Sequence, residues 1–159
     1  MKKYSIEIKW GLIFVLMSLL WLALEKAVGL HDTHIDLHAT YTNFMAIPAI
    51  VVYFLALRDK RKNFYSGQMN YKQGFISGLL ITLWVTLLVP LTQYITFSII
   101  TPDYFQNAIN YAVESGNMTQ SEAEEYFSTQ SYLLQGLIGA PVMGVVTTAI
   151  VGIFTRKSS

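Results

Sequence analysis

All three histidines of the chain fall in one short run, His31-Asp32-Thr33-His34-Ile35-Asp36-Leu37-His38, and Glu25 stands just before it. Imidazole and carboxylate together bind divalent transition metals at neutral pH. If the run is helical, His31, His34 and His38 recur at i, i+3 and i+7 on one face, and with Glu25 they make a ligand set for Zn²⁺ or another divalent ion. Imidazoles beside acids also titrate near neutral pH, which suits a pH sensor. The spacing permits such a site without demanding it. In the plainer reading Asp32 or Thr33 caps the helix that follows, the rings sit in water, and Glu25 pairs with Lys26 or is solvated.

The elements that position these residues follow from where charge is missing. The chain has 159 residues, 53% of them hydrophobic, with 11 basic and 10 acidic side chains. No Asp, Glu, Lys or Arg occurs between Lys9 and Glu25, Asp36 and Arg58, Lys72 and Asp103, or Glu125 and Arg156, and these gaps make up more than half the chain. A soluble domain needs charged helix faces, whereas crossing a bilayer takes roughly 20 apolar residues, so the four gaps predict four transmembrane helices. Their approximate bounds are residues 10–28, 37–57, 71–100 and 132–155. The expected fold is an all-α integral membrane four-helix bundle, one membrane domain over residues 1–159. The first span reads as an uncleaved anchor, because Leu24-Glu25-Lys26-Ala27 is a poor cleavage site. Pro48 is expected to kink the second span, and the third, at roughly 45 Å, must tilt, bend or project beyond the bilayer.

Ten of the eleven Lys and Arg residues then lie on one side, with Lys26 alone on the other. That side is expected to be cytoplasmic and to carry both termini. Between spans three and four, the loop over residues 101–131 is expected to hold a helical pair at the outer face. Its first helix carries Phe105, Ala108, Ile109 and Ala112 at helical spacing, and its second starts at a Thr119–Glu122 capping box. Tyr104, Tyr111, Tyr126, Phe127 and Tyr132 are expected to rest at the outer interface.

The run Tyr53 to Lys62 (YFLALRDKRK), then Gly67-Gln68-Met69-Asn70-Tyr71-Lys72-Gln73-Gly74-Phe75, then Ile100-Thr101-Pro102-Asp103-Tyr104-Phe105, and the closing Pro141-Val142-Met143-Gly144 with Arg156-Lys157, resembles the DUF4199 family of small four-helix bacterial membrane proteins, common in Bacteroidetes. The resemblance covers most of the chain from the second span onward. It implies the four-span architecture and a bacterial inner membrane, and supplies no activity or catalytic residue. The first span and the histidine run lie outside it, so any role for them rests on the residues alone.

Every fourth residue of the third span gives Gly74, Gly78, Thr82 and Thr86, and of the fourth gives Gly136, Ala140, Gly144, Thr148 and Gly152. Without a hydrophobic drive between helices in lipid, small residues four apart let backbones approach, so these stripes are expected to meet antiparallel: Gly74 near Gly152, Gly78 near Thr148, Thr82 near Gly144 and Thr86 near Ala140. Arg58, Lys60, Arg61 and Lys62 form a basic turn expected to lie on anionic lipid. Asn43 and Gln93 are polar enough to line a small-molecule route, though interhelical hydrogen bonds account for them more simply.

The near-neutral charge gives no sign of nucleic acid, and no cysteine is present for thiolate chemistry or Cys-based zinc. No hydrolase elbow, phosphate-binding loop or zincin motif occurs, so no enzyme and no resident cofactor is expected beyond a divalent metal at the outer face. The leading functional reading is an accessory or scaffold subunit that binds a membrane-protein partner or lipid. The alternatives are an oligomeric transporter or channel subunit, in which a homo-oligomer forms the path, and an outer-face metal or pH sensor.

Overall fold

The computed structural model describes residues 4–157; Lys2 and Lys3, counted above in the charge asymmetry, lie outside them. Among the described residues the chain is all-helical, with one isolated antiparallel bridge between Met69 and Lys157. Helix α1 is Ser5–Ala27. Helix α2 (Ile35–Tyr41) passes through a 3₁₀ turn, Thr42–Met45, into α3 (Ala46–Asn63). Helices α4 (Tyr71–Leu87) and α5 (Val89–Ile95) are followed by a π-helical turn, Thr96–Ile100. The short helices α6 (Tyr104–Glu114) and α7 (Gln120–Tyr126) then lead into α8 (Thr129–Thr155). Three stretches, Ser5–Ala27, Ile35–Asn63 and Thr129–Thr155, are long and apolar enough to cross a membrane, and the bent pair Tyr71–Leu87 plus Val89–Ile100 makes a fourth if it counts as one span. Leu12, Leu16, Leu20 and Leu24 are exposed along one stripe of α1, a surface suited to lipid. This is the character of a membrane protein.

Two of the prolines, Pro48 and Pro90, act one turn upstream of themselves. Pro48 has no N–H to give the carbonyl of residue 44, and its ring crowds that carbonyl, so the chain tightens into the 3₁₀ turn Thr42–Met45 within the Ile35–Asn63 stretch. Pro90 sits at the start of α5 and likewise leaves Thr86 without its i+4 donor. The axis bends by 46° there. Helix α8 runs through Pro141 unbroken.

Helix α8 packs on α4 and α3, and α1 packs on the same two helices. Where the small-residue stripes cross, α4 and α8 approach to backbone distance. A Cβ built on Gly78 would lie 2.9 Å from Thr148 Cβ, and one on Gly144 would lie 2.9 Å from Thr82 Cβ. Toward one end the expected glycine pairing gives way to side chains. Met69 Cε fills the space beside Gly74, and the Tyr71 ring fills that beside Gly152, each 3.1 Å from where a Cβ would stand. At the other end Gly136 takes Val89 and Gln93. Thr86 turns its hydroxyl to Thr82 O of its own helix at 2.9 Å, and Ala140 packs on the core around Tyr53, Ile81, Val85 and Val151.

The basic turn does not present all its charges to lipid. Successive residues on a helix are about 100° apart, so four cations in five positions must point several ways. Arg58 and Lys62 are exposed, while Arg61 donates to Thr155 O at 2.8 Å. Lys60 is buried: its ammonium lies 2.8 Å from Glu7 Oε1 and 3.7 Å above the Phe64 ring. Ser77 donates to the same carboxylate at 2.8 Å. One buried ion pair thus ties α1, α3 and α4, and Lys9 and Trp10 add a second tie through Asp59.

Candidate functional site

At the end of the molecule away from the basic turn, the chain reverses so as to fold the histidine run back over α1. The reversal is a Schellman motif: Leu30 N donates to Glu25 O at 2.9 Å and Gly29 N to Lys26 O at 3.1 Å, with Gly29 at φ +83°. Asp32 N and His34 N then both reach Gly29 O, and α2 starts only at Ile35. His31 is therefore in a turn and not on a helix. That turn carries its ring back onto Glu25, six residues earlier, while His38 arrives from the middle of α2. Gly29→Ala is expected to cost about 1–2 kcal/mol, since an L-residue there must hold a left-handed conformation and its Cβ would strike Thr33. Thermal unfolding in detergent reads that loss.

Glu25 is 2% exposed. Trp21 Nε1 donates to its Oε1 at 2.6 Å. The other oxygen, Oε2, faces His31 Nε2 at 3.2 Å and His38 Nε2 at 3.6 Å. One ligand-type atom from each of these three residues lies within 4.8 Å of the other two. The expected pairing of Glu25 with Lys26 is not made: Lys26 bonds Asp32 at 3.0 Å, and the Thr33 N–H together with that contact holds the Asp32 carboxyl below its usual range. His34 does not join the cluster. It is exposed at the N-cap of α2, because the helix that would have aligned it with His31 begins one residue later.

The residues that complete the site come from the far side of the sequence. Tyr104 of α6, 4% exposed, packs edge-on against both rings, 5.1 Å from His31 and 5.3 Å from His38 between centroids. Its hydroxyl lies 3.4 Å from His38 Nδ1 and 3.1 Å from the Tyr132 hydroxyl. Burial pushes the Tyr104 phenol above its ordinary value, so it keeps its proton and can donate. Asn107, one turn along α6, donates to His31 O at 2.9 Å and pins the turn. Tyr104 and Tyr132 are thus interior residues of the site, whereas Tyr111 and Tyr126 are exposed.

Beside the cluster lies a cavity of about 220 Å³ lined by His31, His38, Gln93, Thr96, Tyr104 and Tyr132 among others. Gln93 Nε2 donates to Tyr132 O at 2.6 Å, and its Oε1 is buried without a partner. His31 Nδ1 is also buried and unpartnered. Unsatisfied groups of this kind on a cavity wall call for a water or ligand. Asn43 is not among the residues that line this cavity, and its amide donates to Ala39 O of α2 at 2.7 Å. A second cavity of about 250 Å³, walled by residues such as Ile50, Val85, Met143 and Ile150, is almost wholly apolar.

Comparison with known proteins adds a family but no activity. The sequence model of the family described as "Protein of unknown function (DUF4199)" matches residues 9–157, which includes the first span and the histidine run that the resemblance had left out. No curated protein and no solved structure matches the chain.

Proposed function

Because the chain belongs to the DUF4199 family, whose description carries no activity, we propose from the site itself that it is a ligand-binding accessory protein, a four-helix bundle in a bacterial inner membrane with both termini cytoplasmic. The observation that carries this reading is the Glu25–His31–His38 cluster, with Glu25 and His31 buried and His38 partly so, beside a polar cavity with unpartnered groups. Removing a carboxylate and two imidazoles from water is costly, and apolar side chains of similar volume would join α1 to α2 at less expense. An ionisable group inside a membrane bundle is a functional hypothesis by default. The excess of Lys and Arg at the opposite end supports that end as cytoplasmic and the cavity as outward-facing. Binding is favoured over catalysis because the sequence carries no hydrolase elbow, phosphate-binding loop or zincin motif. A transporter role draws no support from Asn43, which is satisfied locally.

The chain has no cysteine of its own, so single cysteines report access. Thr92→Cys and Phe97→Cys, both on the cavity wall, are expected to react in intact cells with a membrane-impermeant thiol reagent. Lys62→Cys should react only after permeabilisation, and Leu16→Cys, on the lipid-facing stripe, not at all. Unreactive cysteines at both 92 and 97, with the protein folded, would refute an outward-facing binding cavity.

A further inference from the structure

We infer that Glu25, His31 and His38 bind a divalent transition metal of the Zn²⁺ type, with a fourth coordination position open to the adjoining cavity. This rests on the reading of that cavity as the working site, and it names what the site takes. In a tetrahedral zinc shell with bonds near 2.0–2.1 Å, neighbouring ligand atoms stand roughly 3.4 Å apart. Glu25 Oε2 already lies 3.2 Å from one imidazole nitrogen and 3.6 Å from the other. Both oxygen–nitrogen spacings are therefore about what a metal needs, and with one ligand-type atom from each residue within 4.8 Å of the other two, an ion would sit among the three.

The surroundings orient the set. Trp21 holds Oε1, which leaves Oε2 for the ion. With His38 bound through Nε2, its Nδ1–H faces the Tyr104 hydroxyl, which shares a hydrogen bond with the Tyr132 hydroxyl, an outer shell of the kind that fixes the tautomer of a ligating histidine. Two imidazoles and one carboxylate favour zinc and its neighbours. Calcium and magnesium are disfavoured, since they call for six or more oxygens. With both rings neutral the trio carries one negative charge against two positive, so a small anion or an ionised water from the cavity suits the fourth position.

The test uses the full chain, purified in mild detergent with its tag removed and stripped with a chelator. Titration with Co²⁺ is expected to give the visible bands of a four-coordinate ion, saturating at one equivalent and abolished by Zn²⁺. Glu25→Gln, which keeps the hydrogen-bonding shape and so serves even where His38→Ala unfolds, should lose the bands. Tyr104→Phe should keep them with affinity weakened about 10-fold. His34→Ala, in the same loop but outside the cluster, should titrate as the unaltered chain does. Folded, stripped protein that shows no Co²⁺ bands would overturn the metal site, as would bands that survive Glu25→Gln or vanish in His34→Ala. Since cysteine labelling needs no metal, a labelled cavity without Co²⁺ bands defeats the metal alone, whereas an unlabelled cavity defeats the binding reading with it.

Discussion

Lys60→Met is expected to destabilise the protein by about 3–5 kcal/mol, because it strands the Glu7 carboxylate, 1% exposed, without the cation that compensates it. Ser77 still donates one hydrogen bond to that carboxylate, which is not enough for a charge sunk between three helices. The size of the loss reflects desolvation of the remaining partner and not the strength of the bridge. Adding Glu7→Gln should therefore recover most of the stability, since a neutral amide beside methionine leaves no buried charge. Lys62→Met, two residues on and exposed, is the matched control and should change stability little. Equilibrium unfolding in mixed micelles would compare the four proteins. If Lys60→Met costs no more than Lys62→Met, the Glu7–Lys60 pair is not the interior tie described here.

The second large effect is expected at Gly144. Leucine there would have to displace Thr82, whose Cβ lies 2.9 Å from the place a Cβ would occupy and whose hydroxyl is bonded to the buried Tyr53 hydroxyl at 2.7 Å. Overpacking of this kind costs about 1–3 kcal/mol, and losing the Tyr53 bond adds to it. Gly139, on the same helix and also a glycine, has nothing within 4 Å of its Cβ position, so Gly139→Leu should be tolerated. The contrast separates backbone contact from helix propensity, which changes equally at both positions. Cysteines at 82 and 144 should crosslink within one chain. Crosslinks found only between chains would instead make the stripe an assembly surface.

Much of the fold was legible because its signals are local. A charge-free apolar run long enough to span lipid declares itself wherever it packs, and Ser5–Ala27, Ile35–Asn63 and Thr129–Thr155 are each long and apolar enough to cross a membrane. The Thr119–Glu122 capping box was legible for the same reason: its hydrogen bonds close within four residues. At the middle of the two stripes Gly78 meets Thr148 and Gly144 meets Thr82, where close approach admits nothing larger.

The site was legible only in part. Residue type and proximity in sequence pointed to Glu25, His31 and His38, but helical periodicity was the wrong rule for a segment that is a turn. Gly29 was the available signal, because a glycine after the last turn of an apolar helix favours the left-handed reversal that sends the chain back. No sequence spacing brings Tyr104, Gln93 or Tyr132 beside those histidines, since they come from other helices and their direction is set by how α6, α5 and α8 pack. Lys60, expected on lipid with Arg58, Arg61 and Lys62, is buried for the same reason. Its neighbours in sequence mark a lipid-facing basic turn, whereas the rotation of α3 against α1 aims its ammonium at Glu7. The amino-acid sequence alone determined which segments are helical and apolar, because hydropathy and capping act over a few residues. Only the tertiary structure decided which polar groups share a buried environment, because burial and pairing depend on the rotation and bend of whole helices.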